Sequence, residues 1–427
     1  MRERVPIIAI TGTKGKTTVT RILSDLIQRH VKYVLRVDTT GAYISEKQII
    51  DLEGSLNFTG LVPTVSPGKF VPYLYQKSHD VKDCAAVLEA ALGSSARPGL
   101  GYKNHNVGVF TNVLEDHIGS SKRIQTQQDI ADAKDFIFSR ISQSGWAVIN
   151  ADDKFVMGKI GKIPDIDIKK IFCTIDQKLA KSFAGNYVCT VQAGKVAMID
   201  PKGKVSECAD IASVSWTFGG QYVPSIYNLL FVTSAFYAFF NGRVNMDTYK
   251  KQIEITKLDE EGGRLTCFTD SRGVKILADY AHEKYSLKAI ARLAHGMKAK
   301  GGKVIGVLRL AYDRTDDLIR DTAKYISDDY DSFIIYDKID GFLKKPIVTD
   351  PHKKFKQVVG KISTEFSSSL IENGATDVER IVREDEALNH ASLIAKAGDV
   401  VVFIVNDDIK QSIGFVRKSF AGARRTS

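Results

Sequence analysis

The sequence predicts an α/β fold with a mostly parallel, doubly wound sheet, followed by a second and smaller α/β domain. Short apolar runs alternate with segments of helical spacing through most of the 427 residues. This is the pattern of strands buried on both faces of a parallel sheet. The alternation stops at the polar, glycine-rich residues 256–264 and then restarts. We therefore predict two domains, residues 1–258 and 259–427.

The first predicted domain contains short, nearly continuous apolar runs. They are residues 84–89 (CAAVLE), 107–112 (VGVFTN) and 146–150 (WAVIN), with a helix between the last two. The segment YVCTVQAGKVAMID instead predicts an antiparallel hairpin that turns at Ala193 and Gly194. We expect a small antiparallel sheet there and then a buried helix, SIYNLLFVTSAFYAFF.

The second predicted domain alternates in the same way. Its predicted strands have the sequences VKILADY, KVIGVLRL, SFIIYD and DVVVFIV, with helices between them. This order predicts a smaller, Rossmann-like unit.

Residues 7–18, IIAITGTKGKTT, are the most informative segment. An apolar strand leads into a glycine-containing turn, and Lys16 and Thr17 begin a helix. The backbone N–H groups of such a turn and the helix dipole favour a polyphosphate. Lys16 can reach the outer phosphates, and the Thr17 hydroxyl can bind magnesium. Ile10 stands where the general P-loop pattern has its first glycine, but the context still predicts a nucleoside triphosphate site.

Polar side chains follow two further predicted strands. Glu89 ends one strand, and Asn112, Asp116 and His117 follow another. Each alone is as readily a surface residue, but ligands of open α/β sheets bind at the carboxyl ends of strands. Glu89 and His117 are reasonable metal ligands beside phosphate oxygens, although His is a less common magnesium partner than a carboxylate.

Composition excludes several classes of function. The formal charge is +10, but the basic residues are spread along the chain without the interleaved aromatic residues of a nucleic-acid groove. The five cysteines are scattered without a C-x-x-C, which argues against a disulfide framework and a zinc ribbon. No signal peptide is visible, and the longest apolar run is too short to span a bilayer. We expect a cytoplasmic protein with no nucleic-acid or membrane partner.

Together these motifs resemble the Mur ligase superfamily, and most closely the C-terminal ligase half of cyanophycin synthetases. The family's phosphate loop reads G-T-x-G-K-T-T, and its other motifs are a strand-end Glu, T-N-x-x-x-D-H, N-A-D-D, G-R and D-Y-A-H. This sequence matches them at Gly12 to Thr18, Glu89, Thr111 to His117, Asn150 to Asp153, Gly263 to Arg264 and Asp279 to His282.

The resemblance implies roles for single residues. Lys16 would hold the β- and γ-phosphates, Thr17 and Glu89 one magnesium ion, and His117 a second. Lys134 matches a lysine that is carbamylated in many members; otherwise it is a solvated helical lysine. Asn112 would lie near the adenine. The implied nucleotide-binding residues, from both predicted domains, are Gly12, Thr13, Lys14, Gly15, Lys16, Thr17, Thr18, Asn112, Asn228, Arg264, Asp279, Tyr280 and His282.

Two departures from the family pattern bear on the nucleotide contacts. Family members usually continue D-Y-A-H with N-P, where this sequence has Glu283 and Lys284. Many also carry H-N before the long helix, where this sequence has Pro224 and Ser225, although Asn228 is kept.

The implied activity is ATP-dependent amide formation. Phosphoryl transfer to a carboxylate gives an acyl phosphate, which an amino acid or small amine attacks, releasing ADP and phosphate. Such chemistry needs cations and a backbone cradle rather than covalent catalysis. Two alternatives stay open: a nucleotide-binding scaffold or regulatory subunit that has lost ligation, and the synthetase subunit of an amidotransferase.

The same resemblance limits which substrates and which additional domains are expected. The sequence begins at the phosphate-loop strand, so we expect neither the UDP-sugar domain of peptidoglycan Mur ligases nor the ATP-grasp half of cyanophycin synthetases. Amino acid or peptide substrates are expected. Whether the protein forms a homo-oligomer is left open.

Overall fold

The computed structural model describes residues 4–51, 63–78, 80–95, 99–115, 118, 122–258, 263–311, 314–337, 360–406 and 408–426. The chain divides into two compact units. The first contains Met1–Asp116 and Arg123–Lys257, and the second contains His117–Lys122 and Leu258–Ser427.

The described part of the first unit contains one sheet of eleven strands, in the order β11-β10-β9-β8-β7-β6-β1-β5-β2-β3-β4. In chain order they are β1 Ile7–Thr11, β2 Tyr33–Asp38, β3 Gly41–Ile44, β4 Lys47–Asp51, β5 Cys84–Glu89, β6 His105–Phe110, β7 Ile141–Asn150, β8 Lys169–Thr174, β9 Tyr187–Gln192, β10 Lys195–Ile199 and β11 Val205–Asp210. Strand β1 is entirely buried and lies between β5 and β6, parallel to both. The loop that follows β1 therefore leaves from the centre of the sheet.

The helices of this unit are α1 Lys16–Gln28, α2 Pro72–Tyr75, α3 Gln127–Lys134, α4 Phe136–Ser139, α5 Lys154–Met157, α6 Gln177–Ser182, α7 Val223–Phe239 and α8 Met246–Ile255. Helix α1 packs against α7 and β2. The segment predicted as one helix between β6 and β7 consists of α3 and α4, which meet at Asp135.

The predicted hairpin is confirmed. Strands β9 and β10 pair antiparallel, and Ala193 and Gly194 have φ angles of 47° and 76°. This part is continuous with the main sheet because β9 also pairs in parallel with β8. A second hairpin, β3–β4, lies at the opposite edge and was not predicted; it turns at Ser45 and Glu46, both with positive φ.

The second unit has its own sheet, in the order β16-β15-β14-β17-β13-β12-β18 within the described residues. Its strands are β12 Thr266–Thr269, β13 Lys275–Asp279, β14 Val304–Leu308, β15 Ser332–Ile335, β16 Val378–Arg380, β17 Val400–Ile404 and β18 Arg424–Arg425. Its helices are α9 Lys284–Met297, α10 Asp316–Ile326, α11 Lys361–Glu372, α12 Glu384–Ile394 and α13 Ile409–Ser419. Strands β13 to β17 pair in parallel, and β12 and β18 extend the sheet antiparallel.

The predicted α/β fold is therefore confirmed, with a large, mostly parallel sheet and a second sheet in the C-terminal part. Among the residues described, no helix combines the length and apolar character needed to cross a bilayer.

Candidate active site

The predicted phosphate loop joins β1 to α1 and is closely packed at two glycines. Gly12 has a φ of 142° and Gly15 a φ of 84°, which are backbone conformations that residues other than glycine rarely adopt. A Cβ at Gly12 would lie 2.0 Å from Oγ1 of Thr111, and one at Gly15 would lie 2.3 Å from Oδ1 of Asn228. The loop backbone thus has neighbours on both sides, and only glycine fits at these two positions.

The segment that follows β6 holds the loop by hydrogen bonds. The Thr13 N–H donates to the Asn112 carbonyl at 2.8 Å, and the Lys14 N–H donates to Oδ1 of Asn112 at 2.8 Å. The Thr111 hydroxyl donates to the Lys14 carbonyl at 2.7 Å. The Asn112 amide also donates to that carbonyl at 3.2 Å. In this structure Asn112 supports the loop, and its contact with adenine stays a prediction.

Thr17 and Glu89 meet at the buried mouth of the loop. The Thr17 hydroxyl donates to Oε2 of Glu89 at 2.8 Å, and the two residues are 6% and 1% exposed. They come from the first turn of α1 and the carboxyl end of β5. A hydroxyl and a carboxylate side by side are the hard oxygen ligands that Mg²⁺ prefers, so this pair fits a magnesium ion beside phosphate oxygens.

Two lysines lie at the same edge of the sheet. Nζ of Lys16 donates to the Thr13 carbonyl at 2.9 Å, within the loop. Lys134, at the end of α3, is 3% exposed, and its Nζ donates to Oγ1 of Thr11 at 3.5 Å. A solvated helical lysine would be exposed, so burial next to the loop argues against that alternative. Carbamylation of Lys134 stays a prediction.

The segment after β7 supports the residues that hold the loop. Nδ2 of Asn150 donates to the Thr111 carbonyl at 2.6 Å, and the Val113 N–H donates to Oδ2 of Asp153 at 2.6 Å. Burial raises the pKa of the Asp153 carboxyl, although backbone N–H groups, Val113 foremost, act in the opposite direction. The N-A-D-D motif, residues 150–153, therefore positions the segment from Thr111 to Val113, which holds the phosphate loop.

The start of α7 is fixed by a side-chain contact that the sequence did not reveal. The Tyr227 hydroxyl donates to Oδ2 of Asp152 at 2.7 Å. The adjacent Asn228 lies over Gly15, at the beginning of α1. Pro224 lies in the first turn of α7, where proline is well tolerated because that N–H has no helical partner. The departure from the family pattern at Pro224 and Ser225 is thus compatible with a regular helix.

Three further residues were predicted from the sequence to lie near the phosphate loop. Thr18 is half-buried in the first turn of α1. His117 and Asp116 lie outside the described residues. No group of three His, Cys, Asp or Glu side chains is positioned to hold a metal ion in the part of the chain that is described.

In the second unit, Asp279 organises the carboxyl end of β13. Its Oδ2 accepts the Leu265 N–H at 2.6 Å, and its Oδ1 accepts the Ala281 N–H at 2.8 Å. The Asp279 carbonyl also accepts the Val405 N–H at 2.8 Å. One carboxylate therefore fixes the backbone directly after Arg264 and directly after Tyr280.

Two guanidinium groups approach the Tyr280 ring, and only Arg264 was predicted. Their Cζ atoms lie 5.0 Å (Arg264) and 4.9 Å (Arg309) from the ring centroid, within the range of cation–π contacts. Arg309 is 1% exposed and donates to the Val405 carbonyl through Nε at 3.2 Å and Nη2 at 2.7 Å. The sequence feature that could have revealed Arg309 is its position directly after the apolar run of β14.

His282 and Glu283 connect this edge to α9. Nδ1 of His282 lies 2.8 Å from the Tyr280 carbonyl. Glu283 caps the helix, accepting the N–H groups of Tyr285 at 2.8 Å and Ser286 at 2.7 Å. The glutamate at this position therefore satisfies the first orphan N–H groups of α9.

Two domain families match this chain. The Mur ligase middle domain family matches residues 10–235, and the Mur ligase glutamate ligase domain matches residues 263–404. Cyanophycin synthetase of Trichormus variabilis is 27% identical over 430 aligned positions, which cover 97% of this chain and 42% of that protein. The UDP-N-acetylmuramoyl-L-alanyl-D-glutamate--2,6-diaminopimelate ligase of Clostridioides difficile is 22% identical, covering 98% of this chain and 77% of the relative.

Solved structures share the fold at low identity. Folylpolyglutamate synthase of Mycobacterium tuberculosis complexed with ADP matches with a TM-score of 0.66 and 17% identity, over 97% of this chain and 90% of that one. MurF ligase from Thermotoga maritima in complex with ADP matches with a TM-score of 0.59 and 15% identity, over 98% and 80%. The chain spans about two fifths of the length of the cyanophycin synthetases, 42% for that of T. variabilis. The matches to both family domains, on this fold, show that the chain belongs to the Mur ligase family.

Proposed function

We propose that this protein is an ATP-dependent, ADP-forming ligase that joins a carboxylate to an amino acid or small amine. The observation that carries the proposal is the buried hydrogen bond between Thr17 and Glu89 beside the phosphate loop. A buried hydroxyl and carboxylate next to a phosphate loop are the hard oxygen ligands that magnesium prefers. The pair could therefore hold a magnesium ion that accompanies a bound triphosphate.

The proposed reaction has two steps, and the groups at this edge would take part in the first. A carboxylate oxygen attacks the terminal phosphorus, the bond from phosphorus to the bridging oxygen breaks, and ADP leaves. The amine then attacks the acyl carbon, phosphate leaves with the oxygen that came from the acid, and the amine loses a proton. Lys16 and the loop N–H groups would stabilise the charge on the transferred group. Magnesium, held by Thr17 and Glu89, would supply further neutralisation of the phosphate oxygens.

The likeness to cyanophycin synthetase and to the peptidoglycan ligases supports an amino acid or peptide as substrate. Cyanophycin synthetase-like ligation is therefore the form that we propose, with small-molecule substrates. Neither the scaffold nor the amidotransferase alternative is favoured by a contact in the described residues.

The test is ADP release by the purified full chain with ATP, magnesium and a panel of acids and amines. We expect release that requires both an acid and an amine. Lys16→Ala should lower it to background, because the ammonium group that binds the outer phosphates is lost.

Lys178→Ala is the matched control, since Lys178 is an exposed lysine on α6, outside the loop. Its activity should equal that of the unmodified protein. If ADP release proceeds equally without an amine, or survives Lys16→Ala, the proposal is wrong.

A further inference from the structure

A tyrosine near the phosphate loop has a hydroxyl whose proton is held by one partner. The Tyr227 hydroxyl donates to Oδ2 of Asp152 at 2.7 Å. An ionised aspartate can only accept hydrogen bonds, and Asp152 also accepts from the Thr174 hydroxyl and from the Ile175 N–H. Burial, and then the Asp152 carboxylate, raise the pKa of Tyr227, so the phenol keeps its proton. The Tyr227 oxygen is therefore left as a hydrogen-bond acceptor.

The Tyr227 side chain is also held in one position. Its ring stacks on that of Phe231, one helical turn further along α7, with the ring centroids 6.3 Å apart. Phe231 is fully buried, and the Tyr227 hydroxyl is tied to Asp152 at the other end of the side chain. Within the described residues, the bond to Asp152 is the one hydrogen bond that this oxygen makes. Since Tyr227 is only half-buried, a ligand can reach the oxygen.

This oxygen lies on the side of the loop that is left for a nucleoside. Thr17 and Glu89 would hold the metal ion and the outer phosphates on the β5 side of β1. Asp152 follows β7, on the other side of β1, and α7 packs against β6, β7 and β8. Neighbouring strands are about 4.8 Å apart, so the end of β7 lies about 10 Å from that of β1. A ribose and a base can bridge such a gap, and a nucleotide in the loop can bring its base to Tyr227.

Purine bases differ in what they present to an acceptor. The 6-amino group of adenine donates hydrogen bonds, whereas the 6-oxo group of guanine or hypoxanthine accepts them. Two acceptors that face each other both lose their hydrogen bonds, and a binding site discriminates strongly against a ligand that leaves a polar group unpaired. An oxygen whose proton is held elsewhere therefore favours adenine.

Building on the proposed ligase function, we infer that Tyr227 selects the base of the nucleotide, its oxygen accepting a hydrogen bond from the 6-amino group of adenine. Asp152 is a positioning residue, because it takes the hydroxyl proton and so keeps the Tyr227 oxygen an acceptor. The preference for ATP over 6-oxo purine nucleotides then depends on two residues outside the phosphate loop.

The test compares three triphosphates that differ at position 6 of the base. ATP has an amino group there, inosine triphosphate an oxo group, and purine riboside triphosphate no substituent. Phosphate release by the full chain gives kcat/KM with one acid and amine pair, and calorimetry with magnesium alone gives the dissociation constants. We expect both measurements to favour ATP over inosine triphosphate about tenfold or more, where tenfold corresponds to about 1.4 kcal/mol of binding.

Tyr227→Phe removes the oxygen and keeps the ring on Phe231. Binding of ATP and its kcat/KM should weaken about fivefold to tenfold, the size expected for one hydrogen bond. The values for purine riboside triphosphate should stay unchanged, a split that general loosening of α7 would not produce. Asp152→Ala keeps Tyr227 but lets its hydroxyl turn and donate, so inosine triphosphate should gain relative to ATP.

Tyr237→Phe is the matched control. Tyr237 lies on the same helix, about 15 Å further along it at about 1.5 Å per residue, and is also half-buried. Its variant should keep the base preference of the unmodified protein.

The outcomes separate this inference from the proposed function. An ATP preference that survives Tyr227→Phe, or equal losses for ATP and purine riboside triphosphate, overturns the role of Tyr227 and leaves the ligase function standing. Absence of phosphate release with every acid and amine overturns the ligase function. The dissociation constants of the same variants then decide the base selection separately.

Discussion

The carboxyl edges of the two sheets are built in different ways. In the first unit, the hydroxyl of Thr17 and the carboxylate of Glu89 are buried against each other, and the loop is packed so tightly that Gly12 has no room for a Cβ. In the second unit, Asp279 bonds to backbone N–H groups, and two guanidinium groups approach the Tyr280 ring.

This difference separates two kinds of role. The Glu89 carboxylate is buried, and the loop beside it is rigid because it requires glycine at position 12. Such an arrangement suits the binding of a charged group at one fixed position. In the second unit, the Tyr280 ring contacts two guanidinium groups and Asp279 bonds backbone N–H groups, so these side chains hold the edge itself together. We therefore expect substitutions in the first edge to lower turnover by about 100-fold or more. Substitutions in the second edge should act on stability or substrate affinity.

The largest effect is expected for Gly12→Ala. The new Cβ would approach Oγ1 of Thr111 to 2.0 Å, and the φ of 142° is unfavourable for alanine. Since Thr111 also bonds the loop at Lys14, relief of the clash displaces the loop, and ADP release should fall to background. Displacements of about 1 Å already cost about 100-fold in rate.

Gly203→Ala controls for backbone strain alone, because Gly203 has a φ of 82° and a methyl group added there would have no heavy atom within 4 Å. It should lower the free energy of unfolding by about 1 kcal/mol without changing turnover. Equal activity in Gly12→Ala and the unmodified protein would contradict the rigid-frame account.

A smaller effect is expected for Glu89→Gln. The amide oxygen can still accept from the Thr17 hydroxyl, so the fold should persist, but the negative charge is lost. We expect kcat to fall about 100-fold, the size typical for loss of one electrostatic contact in an active site. Steady-state ADP release over a range of magnesium concentrations checks this. A variant with the magnesium dependence of the unmodified protein would remove Glu89 from the metal site.

The smallest effect is expected in the second unit. Glu283→Ala removes the cap of α9 and should lower the free energy of unfolding by about 1 kcal/mol, while turnover stays within about threefold. Glu283→Asn should retain most of the stability, because asparagine is a good N-cap residue. Thermal unfolding of the full chain and ADP release measure the two properties. A loss of turnover as large as that of Glu89→Gln would erase the distinction between the edges.

The sequence predicted the parts of this molecule that depend on local pattern. The strand–loop–helix segment at residues 7–18 and the strand ending at Glu89 were readable because buried strands and glycine turns leave a signature within a few residues. The hairpin at Ala193 and Gly194 was readable for the same reason. The β3–β4 hairpin was missed, because Ser45 and Glu46 occupy its turn in place of the usual glycine or asparagine.

Contacts between distant segments could not be derived in this way. The approach of Asn228 to Gly15 joins residues far apart in sequence, and only the family resemblance suggested a shared role for them. Arg309 was overlooked because an arginine after an apolar run is normally expected at the surface. The contact between Tyr227 and Asp152 likewise depends on how α7 packs on the sheet.

The most direct test of the central claim follows one oxygen atom. The acid substrate is labelled with ¹⁸O in its carboxylate, and the released phosphate is analysed by mass spectrometry. Ligation through an acyl phosphate predicts one ¹⁸O in each phosphate formed, because the acid's oxygen stays on phosphorus when the amine attacks the acyl carbon. Phosphate without the label, formed at the same rate as the amide, would contradict the proposed reaction.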